Sequence, residues 1–162
     1  MGTGKSAVGR NLAARLGRRF FDTDGVIEQE AKAPIADIFA EKGEPYFRAL
    51  EKRVINQVCN EKKVVIATGG GAMVDEKNVA RLKESGTVIC LTATPEIILE
   101  RVRGNSNRPL LQGNDPLAKI RSLLTVRAEA YAKADMTINT ANLSIEKVAE
   151  TIIAALESEE RV

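Results

Sequence analysis

The chain has 162 residues, of which 44% are hydrophobic and 28% are charged. This length and composition suffice for one continuous core, so we expect a single domain over residues 1–162. The 24 basic residues nearly balance the 22 acidic ones, which disfavours a nucleic-acid binder or a membrane-surface binder. Histidine is absent, which excludes Ser-His and Cys-His nucleophiles and leaves catalysis to carboxylates, Lys, Arg and backbone amides.

Cysteine usage and hydropathy indicate a cytoplasmic protein. Cys59 falls in a predicted helix and Cys90 in a predicted strand, without the spacing of metal ligands or of a secreted disulfide framework. We therefore expect two buried free thiols. No apolar run approaches the roughly 18 residues of a membrane span, and the N-terminus lacks the apolar segment of a signal peptide.

Helices and short apolar strands alternate along the chain. From Lys5 to Leu16 apolar and small side chains recur at helical spacing, and Gly17 suits a helix C-cap. Aromatic or β-branched runs predict strands at Phe20–Phe21, Val64–Ala67, Val88–Leu91 and Met136–Ile138. Because these runs lack a polar face, we expect a mostly parallel sheet covered by helices on both sides, which is a three-layer α/β domain.

The first motif, Gly2-Thr3-Gly4-Lys5-Ser6 followed by Ala7, opens the N-terminal helix. It matches the second half of a Walker A loop, in which glycines and helical N–H groups surround phosphate oxygens. Lys5 would then reach the β- and γ-phosphates of ATP, and Ser6 would bind Mg²⁺. A chance Gly-Lys-Ser in a loop is the alternative, and the position at a helix start argues against it.

Two carboxylates, Asp22 and Asp24, directly follow the strand that contains Phe20 and Phe21. Open α/β sheets bind their ligands at such strand ends. One carboxylate can hold Mg²⁺, directly or through water, while the other accepts a hydrogen bond from an attacking hydroxyl. Turn or helix N-cap roles are the alternative explanation for such acids.

Arg48 and Glu51 lie three residues apart on a predicted helix, so they are neighbours on one face. An exposed ion pair would explain them, although the guanidinium fork also suits a substrate carboxylate. The run Thr68-Gly69-Gly70-Gly71 follows a predicted strand, and consecutive glycines there allow a ligand to approach the backbone closely. We favour this binding role over a flexible turn.

A polar, turn-rich break from Gly104 to Asp115 contains Arg108, and Arg127 lies on the helix after it. We expect this break to be a mobile lid. A lid arginine can close over ATP and neutralise charge that develops on the transferred group. Solvated surface charge is the alternative for either arginine.

Taken in this order, the motifs resemble those of the shikimate kinases: GTGKS, DTD, FRxxE, TGGG, RPLL and R-x-x-x-Y. The resemblance spans essentially the whole chain and implies a P-loop kinase fold with a parallel sheet in the order 2-3-1-4-5. It also implies transfer of the γ-phosphoryl group of ATP to the 3-hydroxyl of shikimate, with Mg²⁺ as cofactor. A helical substrate-binding region would cover about residues 24–60, and the lid about residues 103–115.

The resemblance also implies roles for individual residues. The expected shikimate-binding residues are Asp24, Arg48, Gly70, Gly71 and Arg127, with the two arginines on the carboxylate. The expected catalytic residues are Asp24, Lys5 and Arg108. The expected nucleotide-binding residues are Gly2, Thr3, Gly4, Lys5, Ser6, Ala7, Arg101 and Arg108. Ser6 and Asp22 would hold the metal, and Phe39 and Phe47 would pack the shikimate pocket.

One departure from the family pattern concerns the N-terminus. In the family a first strand precedes the P-loop, whereas this sequence starts inside that loop. The first Walker A glycine would lie two positions before Met1. We therefore expect Met1 to be an internal methionine of a longer natural protein. Two other functions stay open, namely another small-molecule P-loop kinase, such as a sugar-acid kinase, and a catalytically inactive nucleotide-binding module. We expect a monomer whose partners are shikimate and ATP.

Overall fold

The computed structural model describes residues 2–103 and 115–159, in which helices alternate with short strands. The helices are α1 (Lys5–Leu16), α2 (Thr23–Ala31), α3 (Ile35–Val58), α4 (Glu76–Ser85), α5 (Pro95–Val102), α6 (Pro116–Tyr131) and α7 (Ile145–Glu159). The strands are β1 (Arg19–Asp22), β2 (Val64–Ala67), β3 (Ile89–Thr92) and β4 (Met136–Asn139). A short 3₁₀ turn spans Ala72–Val74. The α2 and α3 helices together cover the expected substrate-binding region.

The strands form two parallel pairs. β1 pairs with β2, and β3 pairs with β4, each in register over four residues. A cavity of about 650 Å³, lined by every residue of β2 and β3, separates the pairs. Within the described part of the chain, no strand lies between them. The arrangement matches the expected order 2-3-1-4-5 without its first strand, so the expected α/β fold is confirmed.

Helices cover both faces of the paired strands. On one face, α1 and α7 contribute Val8 and Val148 to a core that also contains Val65 of β2. On the other face, Ile66 packs against the cluster around Val54 of α3. Neighbouring residues of β2 thus point to opposite sides, as the alternation of a strand requires. Full burial of a side chain such as Val8, Val54 or Val148 contributes about 1.5 to 3 kcal/mol to folding.

Two glycines set the limits of α1, and a third bends α3. The N-cap Gly4 has φ 90°, and the C-cap Gly17 has φ 61° with its N–H bonded to the carbonyls of the last turn. Both angles lie in the left-handed region that favours glycine. Gly43 has φ 78° inside α3, and the helix resumes around Pro45. Arg48 therefore lies at the start of the second helical segment of α3.

The structure corrects two details of the sequence-based expectations. The third predicted strand begins at Ile89, because the N–H of Val88 donates 2.8 Å to the side-chain carboxylate of Asp135 instead of joining the ladder. Both cysteines are free thiols, and Cys59 is buried as expected. The expected burial of Cys90 is wrong, since this residue lines the cavity beside β3 and is half-buried.

No helix in residues 2–103 or 115–159 combines the length and the hydropathy that crossing a membrane requires.

Candidate active site

A cavity of about 1000 Å³ lies where the strands end and the P-loop begins. The predicted site residues that line it are Gly2, Thr3, Gly4, Lys5, Ser6, Ala7, Asp22, Asp24, Arg48, Gly70, Gly71, Arg101 and Arg127. Arg108 and the rest of segment 104–114 lie outside the described residues. The fold thus brings into one cleft residues that are far apart in the sequence.

The P-loop lies at one end of this cleft. Gly2 has φ 64°, and a methyl group on it would lie 2.9 Å from Cγ1 of Val102, so a larger residue would meet both strain and a clash. The first-turn residues of α1 line the cleft, and N–H groups of a first helical turn have no partner within the helix. These donors and the Lys5 side chain suit an anionic phosphate.

Ser6 and Asp22 place two oxygen donors beside the P-loop. The Ser6 hydroxyl donates to Oδ2 of Asp22 at 2.5 Å, and Oδ1 of Asp22 accepts from the backbone N–H of Asp24 at 3.2 Å. Asp22 is therefore also the N-cap of α2. In the described ranges, no three His, Cys, Asp or Glu side chains gather into a metal cluster. A hydroxyl and a carboxylate fit Mg²⁺, which commonly uses one or two protein oxygens together with substrate phosphates.

Asp24 has the largest resolved change in acidity among the cleft carboxylates. Burial first, and then the negative charges of Asp22 and Glu51, raise its pKa to about 6, while Lys5 opposes this shift. Its Oδ1 is shielded from solvent and has no hydrogen-bond partner among the described residues. A carboxylate with a pKa close to neutral is well suited to accept a proton from a substrate hydroxyl.

Glu51 and Arg48 form a largely buried ion pair instead of the exposed pair that local spacing allows. The Glu51 side chain is 1% exposed and accepts from Nη1 of Arg48 at 2.7 Å. Burial raises the pKa of Glu51, whereas the charges of Arg48 and Arg127 lower it. Nε and Nη2 of Arg48 donate to the exposed Glu44 at 3.1 and 3.0 Å. A substrate carboxylate can replace this solvent-exposed partner while Glu51 continues to hold Arg48.

The glycine run packs directly against these charged groups. A methyl group on Gly69 would lie 2.8 Å from Oδ1 of Asp24 and 2.9 Å from Oε1 of Glu51. A methyl group on Gly71 would lie 2.6 Å from Nη1 of Arg48. The absence of side chains therefore lets the acidic residues and Arg48 approach the backbone of the glycine run.

The C-terminal half of the chain contributes two arginines that line the cleft and a tyrosine that contacts Gly70. Arg127 of α6 is 8% exposed, so a solvated surface role is wrong for this arginine. Arg101 of α5 donates to the hydroxyl of Thr140 at 2.9 Å and to its carbonyl at 2.7 Å. The predicted role of Arg101 in nucleotide binding stays a prediction. Tyr131 donates from its hydroxyl to the carbonyl of Gly70 at 2.7 Å.

The sequence motifs predict no role for Thr140 or Tyr131. Tyr131 belongs to the R-x-x-x-Y motif, so its spacing from Arg127 was an available signal. Thr140 follows β4 without any motif, and no signal in the sequence marks it.

Comparison with known proteins identifies the family. The model of the shikimate kinase family matches residues 1–157. A shikimate kinase of Thermoanaerobacter pseudethanolicus is 44% identical over 96% of this chain and 91% of its own length. A second shikimate kinase, from Nitrobacter winogradskyi, is 46% identical over 96% of this chain and 73% of its own length.

Solved structures agree with this assignment. The structure of shikimate kinase from Acinetobacter baumannii in complex with shikimate superposes with a TM-score of 0.95 and 41% identity, over 98% of this chain and 89% of that one. Together with the family match over residues 1–157, this likeness is far above what a common fold alone requires. The chain belongs to the shikimate kinase family.

Proposed function

We propose that this protein transfers the γ-phosphoryl group of ATP to the 3-hydroxyl of shikimate, with Mg²⁺ as cofactor. Family membership supports the reaction. The observation that carries it is a single cleft that joins the P-loop, Asp24 with its raised pKa, and the buried pair of Arg48 and Glu51.

In this proposal the P-loop end of the cleft binds ATP. The first-turn N–H groups of α1 and the Lys5 ammonium contact the β- and γ-phosphates. Ser6 and Asp22 hold Mg²⁺, which when bound neutralises charge on the phosphate oxygens. We assign Arg101 and Arg108 to the nucleotide site from their positions in the sequence. Arg108 would act from the lid at about residues 103–115.

The opposite end of the cleft binds the acceptor. Arg48 and Arg127 hold the shikimate carboxylate, and the N–H groups of Gly70 and Gly71 approach the ring. Glu51 keeps the Arg48 guanidinium in position, because its 2.7 Å bond lies in a shielded environment. Phe39 and Phe47 of α3 form part of the pocket wall, and their ring centroids are 4.7 Å apart.

Asp24 supplies the base in the transfer step. Its carboxylate accepts the proton of the attacking hydroxyl while the hydroxyl oxygen bonds to the γ-phosphorus and the bond to the ADP oxygen breaks. The shielded position of Oδ1 and the charges of Asp22 and Glu51 increase its basicity. Such a positioned base contributes roughly 10²- to 10⁴-fold to the rate.

We also propose that the protein acts as a monomer in the cytoplasm. One chain supplies all of the predicted site residues that lie in the described ranges, so the cleft needs no second subunit for them. Both cysteines are free, which agrees with a reducing compartment.

The decisive experiment is ATP turnover with shikimate and with sugar acids, followed by Arg127→Lys. This substitution keeps the charge but removes the guanidinium fork. We expect KM for shikimate to rise by roughly one to two orders of magnitude, from a loss of about 1.5 to 3 kcal/mol, with little change in KM for ATP. Arg121→Lys on the same helix is the matched control, because Arg121 is 61% exposed and pairs with Glu96.

Two outcomes would contradict the proposal. One is turnover with a sugar acid but not with shikimate, which would favour another small-molecule kinase. The other is ATP binding without any turnover, which would favour an inactive nucleotide-binding module. Equal affinity of the wild type for shikimate and for an analogue with the carboxylate reduced to an alcohol would refute the arginine clamp alone.

A further inference from the structure

Tyr131 connects the end of α6 to the glycine run, although the two are 61 residues apart in the sequence. Its hydroxyl donates to the carbonyl oxygen of Gly70 at 2.7 Å. Its ring packs against a core cluster that includes Ile55 and Met73, which limits the positions available to the phenol. The proposed mechanism uses Arg127 of the same helix but leaves Tyr131 without a role.

The carbonyls of the glycine run have different partners. The carbonyl of Gly69 accepts from the N–H of Ala72 at 3.2 Å, and that of Gly71 accepts from the N–H of Val74 at 3.1 Å. Both bonds belong to the local 3₁₀ turn. The carbonyl of Gly70, by contrast, accepts from a side chain of a distant helix. Local structure therefore holds its neighbours, while α6 holds Gly70.

Holding the Gly70 carbonyl also orients the next N–H group. The peptide bond is planar and trans, so the N–H of Gly71 points opposite to the carbonyl of Gly70. Glycine has no side chain to restrict its own backbone angles. The orientation of this peptide therefore depends on external contacts, of which the Tyr131 hydroxyl is a direct one.

We propose that Tyr131 is a positioning residue that orients the Gly70–Gly71 peptide for binding of the acceptor substrate. This inference rests on the proposed function, in which that backbone faces shikimate. Tyr131 lies four residues after Arg127, so the two lie on one face of α6. The same helical face thus sets both a carboxylate contact and the adjacent backbone donor.

The test is Tyr131→Phe, which removes the hydroxyl and keeps the ring. We expect KM for shikimate to rise about three- to tenfold, as for the loss of one ordinary hydrogen bond, while kcat and KM for ATP change less than twofold. Tyr46→Phe is the matched control, because Tyr46 is 41% exposed and does not line the cleft. We expect the control to keep all three constants.

A second measurement separates positioning from general stabilisation. In the ligand-free protein, Tyr131→Phe should shift the backbone amide resonances of Gly70 and Gly71 and accelerate their hydrogen exchange, whereas Tyr46→Phe should not. A variant with lower thermal stability but an unchanged KM for shikimate would overturn the inference. If the wild type does not phosphorylate shikimate, the proposed function fails, and unchanged Gly70 and Gly71 amide resonances would then overturn the positioning role as well.

Discussion

At the scale of single residues, Asp24 shows a conflict between stability and catalysis. Folding buries this carboxyl near Asp22 and Glu51, and its pKa rises from 3.8 to about 6. The folded state therefore binds the proton more tightly than the unfolded state does. Above pH 6 the ionised carboxylate lowers the free energy of unfolding, and it is this ionised form that can accept a proton from a substrate.

We predict that Asp24→Asn stabilises the protein and abolishes most of its turnover. At pH 8 the free energy of unfolding should increase by about 1 to 3 kcal/mol, since each pKa unit corresponds to roughly 1.4 kcal/mol. The gain should shrink as the pH falls from 6 to below 4, because the wild-type carboxyl then takes up its proton in the folded state. Turnover should fall by roughly 10²- to 10⁴-fold.

Urea unfolding at several pH values, together with ATP turnover, checks this prediction. Asp37→Asn is the control, because Asp37 is exposed in the first turn of α3 and its neutralisation should give no stabilisation. A less stable Asp24→Asn variant at pH 8 would show that the ionised Asp24 carboxylate does not destabilise the folded state. Normal turnover of this variant would show that Asp24 is not the base.

At the scale of elements, the loops of the cleft are held by side chains from other elements. Thr140 directly follows β4, and its hydroxyl accepts from Arg101 of α5. The same hydroxyl lies 3.0 Å from the carbonyl of Thr92 and 3.3 Å from that of Thr3 in the P-loop. Thr140 is 2% exposed. One buried hydroxyl thus connects β3, β4, α5 and the P-loop.

We predict that Thr140→Val weakens ATP binding while Thr140→Ser preserves it. Valine keeps the shape of the side chain but leaves buried polar partners without the hydroxyl, which costs about 1 to 3 kcal/mol of stability. We expect KM for ATP to rise about three- to tenfold with valine and KM for shikimate to stay within twofold of the wild type. Steady-state kinetics of both variants would test this. Equal constants for the valine and serine variants would exclude a role for the hydroxyl.

At the scale of the whole molecule, α1 and α7 join the two strand pairs. Their core cluster unites Val8 and Val148 with Val65 of β2, and with Leu91 of β3 on the other side of the cavity. Since β2 and β3 do not pair with each other, this helical layer connects the halves. We therefore expect the domain to unfold as one cooperative unit.

We predict that Val148→Ala lowers the free energy of unfolding by about 2 kcal/mol, from the lost burial of two methyl groups and the space they leave. Val148 is 1% exposed, whereas Val126 on α6 is 75% exposed. Val126→Ala is therefore the matched control and should change stability by less than about 0.5 kcal/mol. Urea denaturation followed by two probes should give coincident transitions. Separate transitions in the variant would indicate that the halves unfold independently.

Local patterns in the sequence predicted much of this architecture. The P-loop glycines, the ends of α1, and β2 follow from backbone preferences and apolar runs that neighbouring residues encode. The order of the motifs also indicated the family and most of the cleft residues. A one-residue shift at β3 arose because Val88 bonds the side chain of Asp135, which no local pattern specifies.

The tertiary structure alone decided how the cleft is held and charged. The contact of Tyr131 with Gly70 spans 61 residues, and that of Thr140 with Thr3 spans 137. The pKa of Asp24 depends on burial and on charges from other elements. Burial and long-range contacts arise only when distant segments pack together, so a sequence names the reactive residues more readily than the side chains that position them.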